Sequence, residues 1–317
     1  MTIERISTNS QSQLLLSQIQ QAENNLNNTQ LQIASGKVSN TYSGIGDKTA
    51  MLEAARSASN RADSYKATTT LALNQANQQD SQMSQLSDLA NQLRQAITTA
   101  VGNNDGSTLM TTAQGIFDQA VQILNSKDTN GNYLYGGDKN DQPPVSATSL
   151  SDLTTVASGA AAFQNGTIPS SVMVGDGQSV TVGMLASDIG TQLMQTLKDI
   201  ADYDAGPDGN FGTNLDATQS SFLSGAIQTA SGAANQINNA AAANGNSYNQ
   251  LQEASDNQTT MSNLFKGFVS NIEDVDMPTA ITHLNQEQTA LQASLEVTAQ
   301  LNQISLLNYL NPASSTG

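Results

Sequence analysis

Leu15, Ile19, Ala22, Leu26, Thr29 and Ile33 recur at alternating intervals of four and three residues. That is the a/d line of a helix built to lie against another helix. The line stops at Ser35-Gly36, a pair that ends helices. Near the other end, Met277, Ile281, Leu284, Gln288, Leu291, Leu295 and Thr298 repeat the alternation, with Pro278 placed where a helix begins. Leu301, Ile304, Leu306, Leu307, Tyr309 and Leu310 then raise the apolar density before Asn311-Pro312 closes the run. Both lines mix Leu and Ile with Ala, Thr and Gln, so each helix is marginal alone and needs a partner to order.

Three further amphipathic stretches lie between these ends. The first covers residues 50–101, with Met83, Leu86, Ala90, Leu93 and Ile97 on one face. The second covers 108–126 with Met110, Ala113, Phe117, Val121 and Leu124, and the third covers 217–272 with Phe222, Ile227, Ile237, Leu251, Met261, Leu264, Phe265 and Val269. Gly102-Asn103-Asn104-Asp105-Gly106 separates the first two. From Tyr133 to about Leu215 the chain turns rich in Gly, Ser, Thr, Pro and Asp. Within it, Val172-Met-Val and Ser179-Val-Thr-Val flank Gly175-Asp176-Gly177-Gln178, which reads as a β-hairpin, and a helix is expected over 185–202.

The expected fold is mainly α, a long antiparallel helical bundle or coiled coil of the N- and C-terminal halves with a small α+β insert in the middle. Three parts are predicted: a terminal coiled-coil domain from 1–40 and 280–317, a helical rod from 41–140 and 216–279, and a surface-exposed mixed β insert over 141–215.

Composition narrows the function classes. The 317 residues carry no Cys, no Trp and one His, with 4% aromatic and 12% charged residues. Apolar residues still reach 37%, enough for packed helices and too many for a disordered tail. A net charge of −16 argues against nucleic acid, whose phosphates call for Lys and Arg clusters, and against an anionic membrane surface. Without Cys there are neither disulfides nor thiolate metal sites. No stretch approaches the run of ~18 apolar residues that spans a bilayer, so membrane insertion is not expected. The opening MTIERISTNSQSQLLLSQIQQ lacks a basic segment followed by an apolar core, so export, if it occurs, would need a route without a cleaved signal.

The candidate chemistry is sparse. His283 is the single histidine, so neither a His-based metal cluster nor a catalytic triad has material, and it is read as a surface residue. Asp202 to Asn210 loosely resembles a calcium loop, but Thr213 stands where the bidentate Glu belongs. Asp128-Thr-Asn130-Gly-Asn132 fails because Tyr133 occupies the glycine position, so both are read as Asx and Gly turns. Ser35-Gly36-Lys37 lacks the upstream glycine of a phosphate loop. Asp274 and Asp276 are read as complements to a helix dipole. Phe163, Tyr203, Phe211 and Tyr135 are too scattered along the chain to predict a sugar platform. No catalytic residue, metal ligand or cofactor is expected.

Four local sequences resemble the bacterial flagellin family, which includes the hook-associated protein 3 group. They are Arg5-Ile6-Ser7-Thr8-Asn9, then Gln32-Ile33-Ala34-Ser35-Gly36-Lys37-Val38, then Leu124-Asn125 through Gly131-Asn132-Tyr133-Leu134-Tyr135-Gly136-Gly137, and finally Leu301 to Leu310. The resemblance marks Ser35, Gly36, Lys37, Asn130, Gly131, Tyr133 and Gly136 as family-motif positions. It implies a secreted structural subunit of the extracellular flagellum, leaving by type III export and self-assembling into a helical filament for motility. The polymerisation seam it implies runs through Leu15, Ile19, Leu26, Ile33, Ile281, Leu284, Leu291, Leu295, Ile304, Leu307 and Leu310. Expected partners are further copies of the chain, other flagellins or hook-associated proteins, and an export chaperone at the C-terminal helix. The ending Ser305-Leu-Leu-Asn-Tyr-Leu310 departs from filament flagellins towards the junction protein that links hook to filament, whereas Pro143-Pro144-Val145 and the short insert resemble small filament flagellins. Filament flagellin is the leading expectation and the junction protein the alternative; an adhesin or polysaccharide-binding homologue is a third.

Overall fold

The computed structural model describes the backbone of residues 2–207 and 209–310, and side chains at 10, 13–207, 209–301 and 303. Helix α1 (Thr2–Ser35) is followed by the short α2 (Tyr42–Ile45), α3 (Thr49–Asn103) and α4 (Leu109–Leu124). Strands β1 (Ser171–Gly175) and β2 (Gln178–Thr181) precede α5 (Ala186–Asp204), α6 (Ala217–Glu273) and α7 (Met277–Leu310). The mainly α expectation holds, with one small two-stranded sheet among the described residues. Each long amphipathic stretch read from the sequence is a helix within a few residues of its expected ends.

The chain separates into two units, with the division falling inside α3 and inside α6. One unit is Arg61–Met261; the other combines the described residues before and after it.

In the 61–261 unit, four helices share one apolar core. Met83, Leu86, Leu93 and Ile97 of α3 meet Phe117 and Leu124 of α4, Ile189, Leu193 and Leu197 of α5, and Leu223 and Ile237 of α6. A fully buried Leu or Ile stabilises by about 1.5–3 kcal/mol relative to exposure, so these positions dominate the unit. α5 joins this core because Ile189, Leu193, Leu197 and Ile200 form a continuous buried face. The hairpin is antiparallel, with Val172 opposite Val180. It buries Val174, Val180 and Val182 against Ala72, Ala76 and Leu251 in a second, smaller cluster. Two 3₁₀ turns, Leu150–Thr155 and Gly159–Ala162, pack on α5. Asp152 closes the first turn by accepting from the Thr148 and Ser149 amides, which holds its carboxyl below the usual range.

In the other unit, α1 and α7 lie side by side. They run antiparallel, because the connector leaving α1 pairs with the connector entering α7. Asp276 opens α7: its carboxylate accepts from the Thr279 hydroxyl at 2.9 Å, and Pro278 occupies a first-turn position where its missing N–H has no partner to lose.

Candidate assembly surface

The base of the α1–α7 pair is a clasp. Gly36 ends α1 at φ +70°, the left-handed geometry that favours glycine. The chain then turns so that the Val38 amide donates to the Glu273 carbonyl at 2.7 Å and the Val275 amide donates to the Gly36 carbonyl at 2.9 Å. Glu273, the last residue of α6, has a side chain only 9% exposed. One of its carboxylate oxygens, Oε1, accepts from Lys37 Nζ at 2.8 Å and from the Arg56 guanidinium at 2.7 Å. The Lys37 ammonium, then Arg56, hold the Glu273 carboxyl below the ordinary range against the opposing effect of burial. Arg56 also reaches Glu53, which accepts from the Tyr42 hydroxyl at 2.8 Å. Ser35 Oγ accepts from the Lys37 amide. The three motif residues Ser35, Gly36 and Lys37 therefore build a structural joint, and Glu273 and Arg56 complete it. Sequence reading missed these last two; the available signal was their charge, rare in a chain with 12% charged residues.

Above the clasp, α1 buries or half-buries Leu15, Ile19, Ala22, Leu26, Thr29 and Ile33, the line read from the sequence. On α7 the line differs from the one expected. Its buried and half-buried positions are Ala280, Leu284, Glu287, Leu291, Ser294 and Thr298. Ile281 and Leu295 stand outside it, about half exposed at 47% and 50%. Two lines run along α7 one residue apart, and the covered one carries the small residues Ala280 and Ser294, which let a neighbouring helix approach. The side chains of Ile304, Leu307 and Leu310, and those of the Arg5–Thr8 motif, lie outside the described residues.

The exposed side of the pair is polar in the main but carries a set of uncovered apolar side chains. Leu14, Leu16 and Leu31 of α1, and Ile281, Leu295, Val297 and Leu301 of α7, all remain exposed. His283 is exposed among them.

The second motif lies in the 61–261 unit. Asp128 Oδ1 accepts from the Asn130 and Asn132 amides at 2.8 and 2.9 Å, an Asx turn with Gly131 at φ +86°. Lys127 sits over the Tyr133 ring, 4.6 Å from its centre. The Gly136 amide donates to the Tyr133 carbonyl, and the Gly136 carbonyl accepts from the Gly166 amide. Next to it, Tyr135 is fully buried and donates to Gln82 Oε1 at 2.6 Å, with burial raising its hydroxyl pKa strongly. The motif ties the segment after α4 into the core.

The second calcium-like stretch also resolves into local contacts. Asp202 pairs with Lys198 at 2.8 Å, and Asp204 accepts from the Phe211 amide at 2.9 Å; Asp208 lies outside the described residues. Among the described residues no group of three or more acidic or His side chains is placed to hold a metal ion. Tyr203, Phe211 and Phe222 stack with centroids 4.2 to 6.3 Å apart, a cluster that linear spacing did not reveal. The rings cover one another's faces, so they cap the end of the core.

Residues 227–310 match the sequence family described as the bacterial flagellin C-terminal helical region. The match takes in most of α6 and all of α7, so it includes Glu273 and the exposed apolar residues Ile281 and Leu295. The likeness of fold to solved structures extends further along the chain. A Vibrio parahaemolyticus protein described as a flagellar hook-associated protein superposes with a TM-score of 0.59 at 14% identity, covering 74% of this chain and 99% of that one. FlgL from Bacillus cereus superposes with a TM-score of 0.52 at 14% identity, covering 69% and 98%. No curated protein matches the sequence significantly. The flagellin-family resemblance read from the four motifs is supported by these matches. Among the described residues no helix is long and apolar enough to cross a membrane.

Proposed function

We propose that this chain is a structural, non-enzymatic subunit of the bacterial flagellum that joins its neighbours through the α1–α7 pair. The carrying observation is the set of uncovered apolar side chains on that pair, with Leu31 60% exposed and Leu295 50% exposed on helices whose exposed positions are otherwise mostly polar. Covering half of a leucine side chain is worth roughly 1 kcal/mol, modest per residue and large when repeated along a polymer. A head-to-tail contact repeated by a helical operator builds a filament. On this reading the terminal helices are the polymerisation domain, and the partners are further copies of the chain and neighbouring flagellar proteins. The subunit is secreted, and an export chaperone takes the C-terminal helix.

Two roles fit this surface. The C-terminal match supports filament flagellin, and the likeness to two hook-associated proteins supports a subunit at the hook–filament junction. Electron microscopy of the purified full chain, with and without precipitant seeding, separates them. Long filaments are expected of a flagellin, and monomers under all conditions are expected of a junction protein. Removing residues 1–40 and 280–317 abolishes any assembly if the terminal helices carry the contact. Assembly that survives this removal refutes the proposal.

A further inference from the structure

In the 61–261 unit, α3 and α6 are linked by side-chain hydrogen bonds whose order shows the two helices running antiparallel. Asn244 Nδ2 donates to the Ala76 carbonyl at 2.8 Å, and Ser87 Oγ donates to Asn238 Oδ1 at 3.0 Å. Ten buried positions of α3 here follow a 3-4 alternation, Thr69, Ala72, Ala76, Gln79, Met83, Leu86, Ala90, Leu93, Ile97 and Ala100, with Ser87 and Leu89 buried beside that line. A seam of this kind has a weakness. Its hydrophobic pattern repeats every heptad, so sliding one helix by seven residues, about 10 Å, keeps apolar residues inside.

The seam is interrupted between its two apolar clusters. Gln79 is fully buried, and neither its amide oxygen nor its amide nitrogen has a partner. Asn244 is 3% exposed, and its Oδ1 is unpartnered while its nitrogen is held by Ala76. Ala72, Ala76 and Leu251 belong to one apolar cluster and Met83, Leu86 and Ile237 to the other, with Gln79 between them along α3. An amide desolvated without full compensation opposes folding, so each of the two lowers stability where a leucine would raise it.

We propose that the Gln79–Asn244 pair is a register lock: it fixes which residues of α3 face which residues of α6 and lowers the stability of the unit in doing so. In the native register Asn244 reaches Ala76, three residues before Gln79 on the same line of α3, and the two buried amides lie at neighbouring levels of the seam. A one-heptad slip separates them, breaks the Ser87–Asn238 bond and sets each amide against alkyl groups of the opposite helix. Two distant levels would then carry the desolvation that neighbouring levels carry now. Buried polar positions that fix the register of paired helices at a cost in stability are the best-attested use of such residues.

The test uses the full chain, which lacks Cys and so accepts site-directed spin labels cleanly. Labels go at the exposed positions Ser84 and Asn239, and a pulsed electron-spin distance measurement reads the register. The parent gives one narrow distance. Gln79→Leu and Asn244→Leu each raise the thermal midpoint by about 2–6 °C, and the double variant adds a second distance population displaced by about 10 Å. Gln79→Met, nearly the same volume as the native side chain, repeats the measurement if leucine overpacks the seam. A single narrow distance in the folded double variant overturns the proposal, and so does a midpoint that falls in Asn244→Leu and in both Gln79 variants.

Discussion

Glu273→Ala removes the carboxylate that Lys37 and Arg56 share and leaves the clasp with its backbone bridge alone. A hydrogen bond to a charged group contributes about 1.5–3 kcal/mol when well sheltered. Here the shelter is one-sided: the Glu273 side chain is 9% exposed, but Lys37 and Arg56 are 44% and 34% exposed and regain water when the carboxylate goes. The loss is therefore about 2 kcal/mol, felt as local opening of the two connectors, which corresponds to roughly 30-fold in an opening equilibrium. Hydrogen exchange at the Val38 and Val275 amides reads this directly, because those amides donate across the bridge. Their exchange is expected to speed up about 30-fold in Glu273→Ala and by less in Glu273→Gln, which keeps an acceptor oxygen. The acid limb gives a second readout. A carboxyl whose folded pKa lies below its ordinary value of 4.5 contributes stability that is fully present above that value. The contribution is lost as pH falls through the depressed folded pKa. The parent clasp should loosen in acid below about pH 4.5, and Glu273→Gln should remove that part of the pH dependence. Exchange within twofold of the parent at both amides in Glu273→Ala would refute the view that this carboxylate holds the connectors together.

Gly159→Ala is expected to destabilise the 61–261 unit by about 1–3 kcal/mol in a thermal melt, since the new Cβ would meet the Gln195 backbone at 2.4 Å and 2.7 Å. Tyr135→Phe should cost about 1 kcal/mol in urea unfolding by breaking the bond to Gln82, and in the parent the Tyr135 hydroxyl should resist ionisation in a spectrophotometric alkaline titration well past the point where exposed tyrosines titrate. Leu31→Asp and Leu295→Asp place charges on the exposed outer face of the terminal pair. If that face carries assembly, each should raise the critical concentration at least tenfold by sedimentation or light scattering while leaving the melt of the 61–261 unit unchanged.

The parts of this fold legible in the sequence are those set by short-range periodicity. The core positions Met83, Leu86, Ala90, Leu93 and Ile97 were readable as one helical face, and the glycine-centred turn at 175–178 marked the hairpin. On α7 the same reasoning chose Ile281 and Leu295, because it tracks large apolar residues, whereas the covered line includes Glu287 and Ser294. Exposed apolar residues imitate a core line when the surface is itself sticky. The Glu273 joint and the Tyr203–Phe211–Phe222 stack depend on residues brought together by tertiary folding, which no local pattern encodes. The α5 helix itself was legible over 185–202, but its burial against α3, α4 and α6 was not, because that depends on contacts with distant segments.

The joint at Glu273 also orders events in time. Lys37 and Glu273 are separated by 236 residues, so closing this contact first would fix the ends of a loop spanning most of the chain. Contacts inside the 61–261 unit, such as Asn244 with Ala76, cross 168 residues and can form without either end. Once they have, only residues 38–75 and 245–272 remain to be closed over, and each halving of a flexible loop recovers about 0.6 kcal/mol. Loop closure therefore predicts that the terminal pair organises last, and pulsed hydrogen exchange during refolding should protect amides of the 61–261 unit before those of Val38 and Val275.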